Sequence, residues 1–157
     1  MSLVGIIIAV LVIYIVYKLM KKISSRTTNP LFELFSGPPH PVISSLKNEL
    51  KRVCPQIEKM KIVEGESSFT LNKKKISLCL KDKKTNKLYG RNMLTYVLLH
   101  EMAHVMNTGN ADPNEDIGHT KAFHAVFDKL LAKAEKLGLY DPSMPLVEDY
   151  AENCQPS

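Results

Sequence analysis

Two histidines four residues apart, with a glutamate beside the first, form the part of this sequence best suited to chemistry. They are His100, Glu101 and His104, in the segment HEMAH. On an α-helix, residues i and i+4 lie on one face, so both imidazoles can reach a single metal ion. Glu101 lies about 100° further round the helix, where its carboxylate can accept a proton from the attacking water. The pattern predicts a zinc site that hydrolyses peptide bonds.

A catalytic zinc site needs a third protein ligand, and the sequence offers several candidates downstream. The continuation H-x-x-G-x-x-H is absent after His104, which leaves Glu115, Asp116, His119 and His124. In a helix that begins near residue 119, the last two differ by about 140° in azimuth and cannot both face the ion.

The neighbours of the two histidines favour His119. Phe123 shares its helix face and is expected to pack into the core beside it. His124 lies on the side of Lys121 and Asp128, which is more solvated. We therefore predict His100, His104 and His119 as metal ligands, Zn²⁺ as the cofactor and Glu101 as the general base.

The combined motif resembles that of a known family. The HEMAH segment, followed after thirteen residues by Gly118-His119-x-x-x-Phe123, is similar to the SprT-like (Spartan) and WLM group of zinc metallopeptidases. The similarity covers roughly residues 60–142, and the layout is similar to that of WLM-like proteins of large DNA viruses. The resemblance implies an α+β, zincin-like (minigluzincin) fold and the same three zinc ligands and base. This sequence lacks the C-terminal zinc ribbon of the family's DNA-repair members.

The N-terminal segment predicts a membrane anchor. Residues 3–20 are apolar except for Lys18, and the run approaches the length needed to cross a bilayer. Lysines follow it directly, which disfavours a cleaved signal peptide, and the absence of a polar face disfavours a core helix. We predict one transmembrane helix in residues 1–23, a linker over 24–40, a metallopeptidase domain over 41–142 and a tail over 143–157. The positive charges after the helix predict a single-pass protein with its domain in the cytosol.

The domain is predicted to combine helices with a small sheet. Apolar spacing predicts a helix that begins near Pro41 and stops before Pro55. Three short runs between residues 59 and 82 predict an antiparallel sheet, whose ISLCLKD strand is a candidate edge for an extended peptide. Asn92 is a candidate N-cap for a largely buried helix over 93–106. A further helix is expected over 119–137, ended by Gly138.

Charge and cysteine content bear on partners and redox state. The net charge is +5, but residues 47–91 carry 13 Lys/Arg against 5 Asp/Glu, whereas residues 92–157 carry 4 against 10. The lysine-rich stretch is interpreted either as a solvated sheet edge or as a patch for anionic lipid or nucleic acid. Three widely spaced cysteines, Cys54, Cys79 and Cys154, predict reduced thiols rather than a disulfide framework.

Three functions follow as hypotheses. The first is a membrane-anchored zinc metalloendopeptidase that acts on protein substrates. The second is a DNA-dependent protease of DNA–protein crosslinks, motivated by the lysine-rich stretch, although only Phe69 and Tyr89 could stack on bases there. The third is a zinc-stabilised scaffold, which the presence of Glu101 disfavours because structural zinc sites normally have four protein ligands. Tyr96, Tyr140 and Tyr150 are candidate oxyanion stabilisers, and the sequence does not select among them.

Overall fold

The computed structural model describes Tyr14, Lys18, residues 39–107 and residues 118–154. The described compact unit begins at Pro39. Its elements in chain order are α1 (Pro41–Leu50), a 3-10 helix (Pro55–Lys59), β1 (Lys61–Glu64), β2 (Phe69–Leu71), β3 (Lys75–Leu78), α2 (Arg91–Met106), α3 (Lys121–Lys136) and α4 (Tyr150–Asn153). The unit is therefore α+β, as predicted.

The predicted transmembrane helix requires correction. Among the described residues, no helix combines the length and the apolar character needed to cross a bilayer. The helices α2 and α3 have 16 residues each, whereas a span requires about 20 predominantly apolar ones. The prediction of one transmembrane helix, and the single-pass localisation drawn from it, is wrong by this finding. Of the predicted anchor only Tyr14 and Lys18 are described; its other residues and the linker up to residue 38 lie outside the described part.

Helix α2 runs through the core, as its apolar composition predicted. Nine of its 16 residues are buried, including the charged Glu101. It packs against α3 on one side and against β2 and β3 on the other. A helix enclosed by the core in this way holds its two half-buried histidines, His100 and His104, in fixed positions, because the backbone beneath them is packed on several sides.

The sheet has the predicted three strands but a different pairing. Its order is β1-β3-β2, with β1 parallel to β3 and β2 antiparallel to it. Asn72 and Lys73 adopt positive φ angles in the tight turn that joins β2 to β3. The chain leaves β1 and crosses the end of β3 through Gly65, where a Cβ atom would collide with the Ser77 hydroxyl. The prediction of an entirely antiparallel sheet is wrong, since alternation of apolar residues does not encode strand direction.

Helix ends differ from the predictions by a few residues. Helix α1 begins at Pro41 as expected, and His40 caps it by accepting a hydrogen bond from the Val42 amide at 3.2 Å. Helix α2 is capped by Gly90 rather than by Asn92. The Asn92 side chain instead forms two hydrogen bonds with the backbone of Asp141, at 2.9 Å and 2.8 Å. This amide therefore joins the start of α2 to the segment that follows α3.

The predicted C-terminal tail is folded over residues 143–154. Tyr150, Asn153 and Cys154 are buried, and Cys154 forms a disulfide with Cys79, at a Cα–Cα distance of 5.8 Å. Cys54 is free and buried. The prediction of reduced thiols is wrong for Cys79 and Cys154, because folding of the C-terminal segment brings together two residues that lie 75 positions apart.

Replacing Cys154 by serine is expected to lower the free energy of unfolding by about 2–4 kcal/mol, because the disulfide closes a long loop of the unfolded chain. Urea denaturation of the oxidised wild type and of Cys154→Ser measures the difference. The Cys79→Ser/Cys154→Ser double variant should cost little more than the single one, because either change removes the same bond. Equal stability of the wild type and Cys154→Ser would contradict the expectation.

Candidate metal centre

Three histidines converge at the surface end of α2. The Nε2 atoms of His100 and His104, on consecutive turns, are 3.1 Å apart, and the Nε2 atoms of His119 and His100 are also 3.1 Å apart. One ring nitrogen from each histidine lies within 4.8 Å of the others. These three residues are close enough to hold a metal ion. They are the three ligands that the sequence predicted.

The start of α3 positions His119. Thr120 is the N-cap of this helix, and its side chain accepts a hydrogen bond from the Phe123 amide at 3.2 Å. His119 therefore lies just before the helix, not in its first turn as predicted. The cap turns the chain so that the imidazole faces α2 while Phe123 enters the core.

Phe123 forms an apolar floor beneath the three imidazoles. Its side chain is fully buried, and its ring centroid lies 5.0 Å from that of His100, 4.4 Å from that of His104 and 4.8 Å from that of His119. This contact excludes water from one side of the cluster. The packing of Phe123 beside His119 agrees with the sequence prediction.

His124 occupies a different environment. It is exposed on α3, its ring centroid is 6.4 Å from that of His119, and it is not a member of the three-histidine group. The structure therefore brings together the candidates that the helix geometry favoured. The other two candidates, Glu115 and Asp116, lie in residues 108–117, outside the described part of the chain.

Burial keeps the helical histidines uncharged. Desolvation, followed by the proximity of His104, His119 and His124, lowers the pKa of His100 to about 4. Desolvation and then His119 lower the pKa of His104. At neutral pH both imidazoles are neutral and can offer a lone pair to a cation without first losing a proton.

Glu101 is held beside the histidines by the edge of the sheet. Its side chain is only 5% exposed, and one carboxylate oxygen accepts a hydrogen bond from the Thr70 hydroxyl at 2.8 Å. Desolvation raises the pKa of Glu101, and the Thr70 hydrogen bond opposes that rise. A carboxyl with a raised pKa is a stronger proton acceptor once ionised, which suits a general base.

Sequence reasoning missed Thr70, although a signal was present. Thr70 lies between Phe69 and Leu71 on β2, and both of these neighbours are exposed. Because successive strand residues face opposite sides, the central residue had to face inward, where a hydroxyl requires a partner. Only the fold shows that this partner is Glu101.

Two cavities meet at His100 and Glu101. The first, of about 490 Å³, is the groove that surrounds the three imidazoles and is bordered by Ser68, Phe69 and Thr70 of the β2 region. The second, of about 510 Å³, shares Ser68, His100 and Glu101 with the first and extends along α2 toward the C-terminal segment. The groove is therefore bordered by β2, an outer strand of the sheet. The predicted peptide-pairing strand is wrong, because β3 is the central strand and is paired on both sides.

Two of the three candidate phenols lie beside the site, and the third, Tyr140, packs against Tyr96 with ring centroids 6.0 Å apart. Tyr96 and Tyr150 line the second cavity, together with His100. Tyr150 is buried; its hydroxyl donates to the Cys79 carbonyl at 2.9 Å and lies 2.7 Å from the Ser68 hydroxyl. Burial raises the pKa of Tyr150 to about 12. Because this hydroxyl already has two partners, it serves as a structural contact in this arrangement, and no phenol is assigned to the oxyanion.

The lysine-rich stretch extends from α1 to the start of α2. Most of its lysines are exposed. Lys47 donates to the Met60 carbonyl at 2.7 Å and Lys73 to the Asn107 carbonyl at 2.6 Å, and Lys81 pairs with Glu64 at 3.4 Å. Binding of nucleic acid by this stretch stays a prediction.

Comparison with known proteins places the chain among viral relatives. It is 33% identical to a protein named uncharacterized protein 136R of Invertebrate iridescent virus 6, over 88% of this chain and 90% of the relative. It is 35% identical to uncharacterized protein 042R of Invertebrate iridescent virus 3, over 87% and 91% of the two chains. A shorter match, 38% identical over 56% of this chain and 41% of the relative, is to uncharacterized protein R325 of Acanthamoeba polyphaga mimivirus.

The fold and the site define an α+β domain with a three-histidine metal-binding geometry. The extent of the first two matches shows that the chain belongs to the family of the iridescent virus proteins 136R and 042R. No family model matches the sequence, and no solved structure matches it. The names of the relatives assign no activity, so the function rests on the site itself.

Replacing His119 by alanine is expected to weaken metal binding by more than about a hundredfold, because even the outer partners of metal ligands contribute 10–100-fold. His124→Ala is the matched control and should bind as the wild type does, since His124 lies outside the cluster. Titration of the metal-free chain with Zn²⁺ as the probe ion measures both affinity and stoichiometry. Loss of binding in His124→Ala but not in His119→Ala would contradict the assignment.

Proposed function

We propose that this chain is a zinc-dependent metallopeptidase that hydrolyses peptide bonds of protein substrates. The observation that carries the proposal is the convergence of three imidazole nitrogens beside a buried glutamate, Glu101, which lies on α2 with two of the three histidines. Three protein ligands and an adjacent carboxylate are typical of catalytic zinc sites, whereas structural sites normally have four protein ligands. The resemblance of the motif to SprT-like and WLM peptidases supports the same function.

The spacing of the histidines fits zinc. Two nitrogens bound tetrahedrally to zinc, each about 2.0–2.1 Å from the ion, lie about 3.3 Å apart. The two closest Nε2 pairs in the cluster are separated by 3.1 Å. Neutral imidazole is also a ligand that zinc prefers, and the depressed pKa values of His100 and His104 favour that form. His100, His104 and His119 would hold the ion.

When bound, zinc would lower the pKa of a water molecule and polarise the carbonyl of the cleaved bond. The protein would supply the remaining chemistry. The Glu101 carboxylate accepts the proton of the attacking water and, protonated, can pass it to the leaving amine. The Thr70 hydroxyl fixes the orientation of that carboxylate, because it donates to one of its two oxygens and leaves the other available.

The sheet provides a place for an extended polypeptide. Strand β2 borders the groove, and its outer side is the end of the sheet. Backbone groups at the edge of a sheet can pair with a peptide that adds as a further strand. A substrate bound in this way would run past Glu101, since Thr70 of the same strand contacts it.

Replacing Glu101 by glutamine is expected to reduce proteolysis by about 10²–10⁴-fold while zinc stays bound, because general-base catalysis contributes that range. The measurement is the rate of appearance of new peptide ends, by mass spectrometry, from an unfolded protein incubated with the zinc-loaded chain. Glu135→Gln is the matched control, because Glu135 is exposed on α3. Equal cleavage by the wild type and Glu101→Gln would contradict the proposal, as would a zinc-loaded wild type that cleaves nothing.

Replacing Thr70 by valine is expected to shift the acidic limb of the pH profile of kcat/KM to higher pH. The Thr70 hydrogen bond lowers the pKa of Glu101, so its removal raises that pKa, and the ionised base is then lost at a higher pH. Thr70→Ser retains the hydroxyl and should preserve the wild-type profile. An acidic limb in Thr70→Val that coincides with the wild-type limb would show that the hydrogen bond does not tune the base.

A further inference from the structure

The second cavity continues directly from the metal centre. His100, Glu101 and Ser68 border both the groove at the histidines and the second cavity. From this shared end the cavity follows one face of α2, formed by residues 93, 96 and 97, which lie one and two turns before the histidine. A group that enters it from the groove therefore passes the reacting centre first.

The lining of this cavity is apolar away from the shared end. Met93, Tyr96 and Val97 form one wall, and the opposite wall comes from the C-terminal segment through Leu146, Val147 and Ala151. Polar side chains lie at the end shared with the groove and at Glu148, which is exposed on the segment. An apolar pocket whose polar end faces the chemistry suits an apolar side chain attached to a polar backbone.

The C-terminal wall is fixed in place by several bonds. Cys154 is joined to Cys79 by the disulfide, and its carbonyl accepts a hydrogen bond from the Ser68 amide at 3.2 Å. The Tyr150 hydroxyl donates to the Cys79 carbonyl and lies within hydrogen-bonding distance of the Ser68 hydroxyl. The wall is thus attached to the residue that follows β3 and to the residue that precedes β2. A pocket formed in advance loses less conformational entropy on binding.

We propose that this cavity is a specificity pocket, which receives a large apolar or aromatic side chain next to the cleaved bond of the substrate. The proposal rests on the proposed peptidase function and adds the class of substrate. Ala151 and Leu146 are the residues that set the size of the pocket from the C-terminal side. Substrates with leucine, methionine or phenylalanine beside the bond are selected over those with alanine or a charged residue.

The test uses short peptides and the zinc-loaded Glu101→Gln chain, so that binding is measured without turnover. Two peptide series carry leucine or alanine immediately before or immediately after the central bond. In one series the leucine peptide should bind at least about tenfold more tightly than its alanine counterpart, as expected for several methylene groups in an apolar pocket. Fluorescence anisotropy of labelled peptides gives the dissociation constants.

Ala151→Phe, made in the same Glu101→Gln background, should fill the pocket. It is expected to bind the leucine peptide no more tightly than the alanine peptide. Ala151 is exposed, so the larger side chain is compatible with folding, which zinc content and the thermal unfolding midpoint verify. Ala132→Phe is the matched control, because Ala132 is exposed on α3 and does not line the cavity. It should retain the preference for leucine.

Equal affinity for leucine and alanine peptides in both series, or no binding of any peptide, would overturn the pocket. Equal loss of the preference in Ala132→Phe and Ala151→Phe would overturn it as well. Cleavage of the preferred peptide by the chain with Glu101 intact is measured separately. A preference for leucine without hydrolysis would refute the proposed peptidase function and leave the pocket as a binding site. The failure of the function can therefore be told apart from the failure of the pocket.

Discussion

The packing of three imidazoles against one buried phenylalanine is the contact on which the site depends. Phe123 lies beneath His100, His104 and His119 and removes water from that side. Burial holds the helical pair in the neutral form, and one ring nitrogen of each of the three histidines lies within 4.8 Å of the others. In water, such a cluster would be stabilised by hydration or by protonation of its members. In this protein, a bound cation would be the natural partner of three ring nitrogens this close together.

The elements around the cluster contribute to keeping this contact in place. Helix α2 supplies two of the three clustered histidines from a backbone enclosed by the core, and the segment just before the Thr120 cap of α3 supplies the third, His119. The sheet adds Thr70, whose hydroxyl donates a hydrogen bond to the Glu101 carboxylate and so orients it. The C-terminal segment completes the arrangement through Tyr150, which contacts Ser68 just before β2, and through the disulfide to Cys79 just after β3. The histidine cluster, the Glu101 side chain and the apolar cavity are thus held in place by contacts from several parts of the chain.

The site was predictable from sequence because its information is local. The spacing of His100 and His104 fixes their relation on a helix. The choice of His119 over His124 agrees with the three-histidine group, although the azimuth argument does not apply because α3 begins at Lys121, after His119. The class of the fold followed from apolar periodicity for a similar reason. These features depend on residues that are neighbours along the chain.

The features that the sequence did not reveal are long-range. The parallel pairing of β1 with β3 depends on a loop that crosses the end of β3 at Gly65. The alternation of apolar and polar residues along a strand is the same whether its neighbour is parallel or antiparallel. The Cys79–Cys154 disulfide forms because the C-terminal segment folds back toward Cys79. The polar composition of that segment had led to its prediction as a tail. Asn92 fits an N-cap by type, yet it bonds to Asp141, 49 positions away. The predicted transmembrane helix followed from the apolar composition of residues 3–20, and no described helix supports it.

The most direct test of the account is X-ray absorption spectroscopy at the zinc edge on the zinc-loaded chain, since it reports the type and number of ligands at the ion. The account predicts three imidazole nitrogens and one oxygen from solvent at about 2.0–2.1 Å, in a tetrahedral site with an open position. A fourth ligand that is an imidazole, a sulfur atom or a protein carboxylate would contradict it and would indicate a closed, structural zinc site.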